Sequence, residues 1–179
     1  MALGWRADPW GYRLGLIGLG LFLLFVKLLP LGTVAGRLPG PDVMQCLIIA
    51  WAMRRPDFVP VWIVLPMVLL EDFLLWRAPG LWTALMVMAV EFLRTRAPMT
   101  RELNFMVEWL LASGLMVAML LAYRAGHTLA LMPQLPFGFT VVQLAATIAT
   151  YPFIVALSRL AFDLKKPAHG TLDEYGRRL

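Results

Sequence analysis

The sequence predicts an all-α protein, a polytopic membrane bundle of six transmembrane helices with the second one short. Three observations carry this. The 179 residues are 60% hydrophobic and only 15% charged, with mean hydropathy +0.73, where a soluble domain carries nearer a quarter charged residues. The apolar residues gather in runs without the strict alternation of a barrel strand, and lipid offers backbone groups no partner, so helices are the spans expected. Pro and Gly punctuate the joins, at "LPGP" (38–41), "RRPDFVP" (54–60), "RAPG" (77–80), "RTRAP" (94–98) and "MPQLPFG" (132–138).

The first run, Tyr12 to Pro30, is about as long as a true span and lacks a small-residue cleavage site after it, so it reads as a helix rather than a signal peptide. The second, Asp42 to Arg55, reaches only about 21 Å as a helix against a hydrocarbon core of roughly 30 Å. It is expected to cross by snorkelling of Arg54 and Arg55 and by local thinning of the bilayer. Pro41 and Asp42 suit its first turn. The third runs from Val59 to Trp76, the fourth from Gly80 to Leu93, the fifth from Leu103 to Tyr123 and the sixth from Phe137 to Phe162. Together they form one transmembrane domain over 1–164, leaving 165–179 as a short cytoplasmic tail.

Lysine and arginine placement sets the orientation. With six spans, the side of the N-terminus holds Arg6, Arg13, Arg54, Arg55, Arg94, Arg96, Arg101, Arg159, Lys165, Lys166, Arg177 and Arg178. The other side holds Lys27, Arg37, Arg77 and Arg124. Twelve against four is a positive-inside bias that puts both termini in the cytoplasm. If the second run is re-entrant, Arg6 and Arg13 exchange sides with Lys27 and Arg37 and the tally is unchanged. Charge therefore fixes the C-terminus inside and leaves the N-terminus open; six spans are adopted here. The net charge of +5 does not point to nucleic acid, because the basic residues lie between apolar runs and not along one stripe.

Five ionisable residues fall at one depth on the outer side: Lys27, Asp42, Glu71, Asp72 and Arg77. A charge at such a depth is costly and turns toward the bundle interior, a cavity or a partner. The expected pair is Lys27 with Asp72. Glu71, about 100° further around the helix, is expected near the water interface or against another protein. An inner cluster is expected from Glu91, Arg94 and Glu108, the last of them set among Met106, Val107, Trp109 and Leu110.

Catalytic chemistry finds little support. "LASG" (111–114) partly resembles the nucleophile motif of intramembrane serine proteases, but the first glycine is missing and the histidines, His127 and His169, fall in a loop and the tail. One cysteine, Cys46, and two histidines are a poor metal set, and no phosphate-cradling glycine loop occurs. No catalytic residue, cofactor or metal is expected. Association signals are better. Gly114, Ala118 and Ala122 form a smooth ridge on the fifth helix, and Gly11 with Gly15 and Ala145 with Ala149 repeat the spacing; such ridges serve either internal packing or docking. The seven tryptophans lie mostly near inferred helix ends, as interfacial anchors do.

The stretch from "LPGPDVMQCLIIAWAMRRPDFVP" through "LLEDFLLWRAPGLW" to "EFLRTR" resembles the core of MreD, the bacterial rod shape-determining membrane protein. Pro41-Asp42, Trp51, Arg55-Pro56, Pro60, Asp72, Gly80-Leu81-Trp82 and Glu91-Phe92-Leu93-Arg94 carry the resemblance. "FMVEWLLA" (105–112), "QLAATIATYPFIVALSRL" (143–160) and the tail "GRRL" continue it. The resemblance implies a non-enzymatic inner-membrane subunit of the cell-elongation and peptidoglycan-synthesis machinery, with MreC as direct partner. It also implies a wider complex of RodA, a penicillin-binding transpeptidase and MreB, with membrane lipid around it. That family resembles in fold the six-helix substrate-binding subunits of ECF vitamin transporters. This supplies an alternative function, a small-molecule- or lipid-binding membrane subunit.

Overall fold

The shortest α-helix is the one most completely enclosed by the others. The computed structural model describes residues 9–29, 39–100 and 104–162. Among them are six α-helices and no strand: α1 (Pro9–Leu28), α2 (Val43–Arg54), α3 (Val61–Leu74), α4 (Leu81–Thr100), α5 (Phe105–Leu129) and α6 (Phe137–Phe162). A 3-10 turn, Pro56–Phe58, links α2 to α3. The expected tail 165–179 and Arg6, Arg37 and Arg101 of the charge tally lie outside the described residues.

α2 is apolar on every face, and a helix of that kind belongs in a core. Every residue from Met44 to Arg54 is buried, packed against α1, α4, α5 and α6. Its 12 residues rise about 18 Å. The snorkelling expected of Arg54 is not what resolves this shortness, since Arg54 is buried and ion-paired inside the bundle. Protein surrounds the helix, so its length need not match the bilayer.

Cross-helix contacts show that successive helices alternate in direction. At one pole, the end of α1 meets the starts of α2 and the end of α3 through Lys27, Asp42 and Glu71. α6 joins them part-way along its length, where the Asp42 backbone N–H donates to Thr147 Oγ1 at 3.0 Å. At the other pole, Tyr12 of α1 stacks on Phe58 at 4.4 Å, Arg13 donates to the Asp57 carbonyl, and Arg54 of α2 meets Glu108 of α5.

Among the described residues three helices are long and apolar enough to cross a membrane: α1 from Trp10, α5, and α6 as far as Ala161. α4 runs seven residues beyond its expected end at Leu93: nothing in Arg94–Ala97 breaks a helix, and the helix continues through Pro98 to Thr100, so Arg94 and Arg96 are helical and not in a loop. α5 likewise continues past Tyr123.

α3 and α5 end alike, at the Lys27 pole. The Arg77 N–H donates to the Asp72 carbonyl and the Met132 N–H to the His127 carbonyl, each at 3.0 Å, which is the six-to-one bond of a Schellman cap. The residues in the left-handed position are Trp76 and Leu131, both at φ 54°, where glycine is usual. A side chain there costs about 1–2 kcal/mol. Neither is held by burial: Trp76 is 95% and Leu131 93% exposed.

Candidate functional site

Four charged side chains close a ring at this pole. Lys27 Nζ lies 2.9 Å from Asp42 Oδ1 and 2.5 Å from Glu71 Oε1. Arg77 Nη2 lies 3.0 Å from the same Glu71 oxygen and 3.7 Å from Asp42 Oδ2. Each cation therefore faces both carboxylates and the charges sum to zero. Each member comes from a helix end. Lys27 closes α1, Asp42 caps α2 by accepting from the Gln45 N–H at 3.2 Å, Glu71 is in the last turn of α3, and Arg77 follows that helix. The carboxylates are buried, while the Lys27 and Arg77 side chains keep 23% and 22% of their surface exposed.

Asp72 is not the partner of Lys27. One of its oxygens accepts from the Gly80 N–H, the Thr83 N–H and, at 2.8 Å, the Thr83 hydroxyl. It thereby caps α4, whose N-terminal donors and dipole favour a negative charge. The side chain expected at the water interface or against a partner, Glu71, is instead 1% exposed. The 100° between neighbouring helical residues sends Glu71 to the ring and Asp72 to α4.

The expected inner cluster divides in two. Glu91 and Arg94 pair on an open face at 3.4 Å, and Arg94 also donates to the Val59 carbonyl. Glu108 is buried against Arg54, 2.9 Å away, with both side chains 1% exposed. The Tyr151 hydroxyl lies 3.5 Å from the same carboxylate oxygen. Sequence reasoning missed Arg54 as a partner. The signal available was that both residues sit in apolar runs, where a charge needs a counter-charge. Trp51 departs from the anchor expectation as well; it is wholly buried and its indole N–H donates to Ser158 Oγ.

Of the small-residue ridges, that of Gly114, Ala118 and Ala122 faces outward. α5 packs inward through Ala112, Met116 and Met119 instead, and a Cβ on Gly114 would meet nothing within 4 Å. Ala145 and Ala149 are exposed too. Another glycine is in tighter contact: a Cβ on Gly20 of α1 would run into the Met67 sulfur of α3, so that side chain would have to move aside.

The nucleophile and base candidates of the sequence lie apart, each bonded to a main-chain carbonyl. Ser113 Oγ donates to the Trp109 carbonyl of its own helix, Cys46 Sγ to the Thr147 carbonyl, and His127 Nδ1 sits on the Tyr123 carbonyl. No group of three or more His, Cys, Asp or Glu is placed to hold a metal ion among them.

A cleft opens beside the ring, between the end of α5, the start of α6 and the turn after α3. It comprises two adjoining cavities of about 320 and 690 Å³. Asp42 and Arg77 of the ring are in its wall.

Fold and site together define an all-helical protein with helices able to cross a membrane and a compensated charge network at one pole. Comparison with known protein families, with curated proteins and with solved structures returns no match.

Proposed function

We propose that the chain is a non-enzymatic inner-membrane subunit of the bacterial cell-elongation complex, a member of the MreD family. In this reading it binds an MreC-like protein and scaffolds the peptidoglycan synthase with RodA, its transpeptidase and MreB. All six helices cross, both termini are cytoplasmic, and the Lys27 pole faces outward. The charge distribution supports that orientation. Among the described residues, Arg13, Arg54, Arg55, Arg94, Arg96 and Arg159 belong to the Arg54 pole, against Lys27, Arg77 and Arg124 at the other.

The observation that carries a docking role is the outward ridge of Gly114, Ala118 and Ala122. It lies on a 25-residue helix long enough to span, and such a surface lets another helix approach closely. Native mass spectrometry of the protein purified in mild detergent tests this. A stoichiometric MreC-like subunit is expected with the wild type and is lost with Ala118→Leu, whose thermal stability stays within about 0.5 kcal/mol of wild type, as for an exposed site. Full recovery of the complex with A118L would mean that the ridge faces lipid alone.

The cleft favours a second reading, a ligand-binding subunit of the ECF-transporter kind. It predicts a small molecule or lipid retained through purification in place of a protein partner.

A further inference from the structure

The charges around the cleft do not all find a counter-charge. Lys27 and Arg77 are balanced by Asp42 and Glu71, and one oxygen of Asp72 caps the start of α4 while its other oxygen is buried without a partner. Arg124 is different. Its Nη1 donates to the Leu135 carbonyl and to Thr140 Oγ1, each at 3.2 Å, and its guanidinium lies over the Phe137 ring. Among the described residues no carboxylate lies within salt-bridge distance of it. A guanidinium has five N–H donors and loses none of its charge to a carbonyl or hydroxyl.

The wall of the cleft also holds one weakly bonded polar side chain and one without a partner. Gln45 is only 4% exposed, yet its side-chain amide reaches nothing better than the Met119 sulfur, 3.6 Å away. Trp82 Nε1 is buried with no acceptor. Buried polar groups nearly always have a hydrogen-bond partner, so an unpartnered indole N–H beside an amide held only by a sulfur suits a wall where a ligand supplies better acceptors. Both residues line the smaller cavity, beside the apolar side chains of Met116, Leu120 and Leu144. Arg124 lines the larger one, and the two cavities share Arg77, Tyr123 and Thr140. Each volume falls in the range of small-molecule sites, roughly 300–1,000 Å³.

We propose that this cleft binds an amphiphilic organic anion, its phosphate or carboxylate held by Arg124 with Arg77 beside it. Its oxygen-rich body receives hydrogen bonds from Gln45 and Trp82, and its apolar part packs along Met116, Leu120 and Leu144. The same chemistry belongs to an anionic lipid headgroup and to a soluble organophosphate. The inference deepens the ligand-binding reading and does not require the elongation complex.

The test uses the full chain in nanodiscs of phosphatidylcholine, with and without phosphatidylglycerol, and glycerol 1-phosphate as the soluble probe. Native mass spectrometry and thermal melting are the readouts. The wild type is expected to retain one phosphatidylglycerol in preference to phosphatidylcholine, or to be stabilised by glycerol 1-phosphate alone; the first result assigns a lipid headgroup, the second a soluble anion. Arg124→Gln should weaken whichever binding is seen about tenfold, the worth of one charge-assisted hydrogen bond. Arg159→Gln, the same charge loss at the opposite pole, should leave it unchanged. Equal loss in both variants, no loss in R124Q, or no response to either probe would overturn the anion site. Retention of a neutral lipid in its place would also overturn it, while leaving a ligand-binding subunit standing.

Discussion

The two poles of the bundle treat buried charge in opposite ways. At the Arg54 pole the Arg54–Glu108 pair is sealed from solvent, backed by Tyr151 and closed over by α2, α5 and α6. At the Lys27 pole four charges share a ring whose two cations still reach the surface, beside a cleft. A sealed pair suits fixing helices in register, because losing either member strands the other in a low dielectric. A ring with partly open cations tolerates loss, because water and a second counter-charge remain. The Lys27 pole is thus the end of the molecule able to exchange one partner for another.

The comparison breaks most sharply at Glu108. Glu108→Gln leaves the Arg54 guanidinium without its counter-charge and should cost about 3–5 kcal/mol, seen as a large drop in the unfolding midpoint in detergent. Adding Arg54→Met should recover most of it. Equal damage from the single and double variants would show that the carboxylate acts through something other than Arg54.

Glu71→Gln should cost less, about 2 kcal/mol, since a charge-assisted hydrogen bond is worth roughly 1.5–3 kcal/mol and Lys27 and Arg77 retain Asp42. Its effect should be strongly non-additive with Lys27→Met. Asp72→Asn with Lys27→Met should instead add to within about 0.5 kcal/mol, as non-contacting sites do. Coupling between Lys27 and Asp72 in that double-mutant cycle would contradict the separation of the two carboxylates.

A smaller effect has the opposite sign. Leu131→Gly removes a side chain from the left-handed position that ends α5 and should stabilise the protein by about 1 kcal/mol. Trp76→Gly at the end of α3 should gain similarly if its exposed ring holds nothing, and less if the ring anchors at an interface. The difference between the two gains measures that anchoring by thermal melt.

The helices were legible in the sequence because Pro and Gly mark their ends. The limits of α6 are those the apolar run implied, and α4 outruns its expected end where arginines continue a helix as readily as they begin a loop and where Pro98 does not stop it. The enclosure of α2 was not legible. Its all-round apolar surface suits lipid and core equally, and only its contacts with four neighbours decide between them. At the site, depth could be read but azimuth could not. Lys27, Asp42, Glu71 and Arg77 are brought together as the spacing along the helices suggested. Which of Glu71 and Asp72 meets Lys27 depends on the rotation of α3, which a uniformly apolar helix does not encode. Arg54 was hidden for a related reason: an arginine at the end of an apolar run looks the same whether it snorkels or pairs.

In the proposed orientation the open pole faces outward and the sealed pole faces the cytoplasm, with all six helices crossing. Cys46 is buried and is the single cysteine of the chain, so a Cys46→Ser background allows accessibility to be read one position at a time. Pro79 and Pro133 are exposed in the turns of the Lys27 pole, and Asp57 is exposed in the turn between α2 and α3. Labelling of Pro79→Cys, Pro133→Cys and Asp57→Cys with a membrane-impermeant maleimide in intact spheroplasts gives the answer directly. In the proposed orientation the first two label, and Asp57→Cys labels only after the membrane is opened. Labelling of Asp57→Cys in intact spheroplasts, with Pro79→Cys and Pro133→Cys protected, would contradict it.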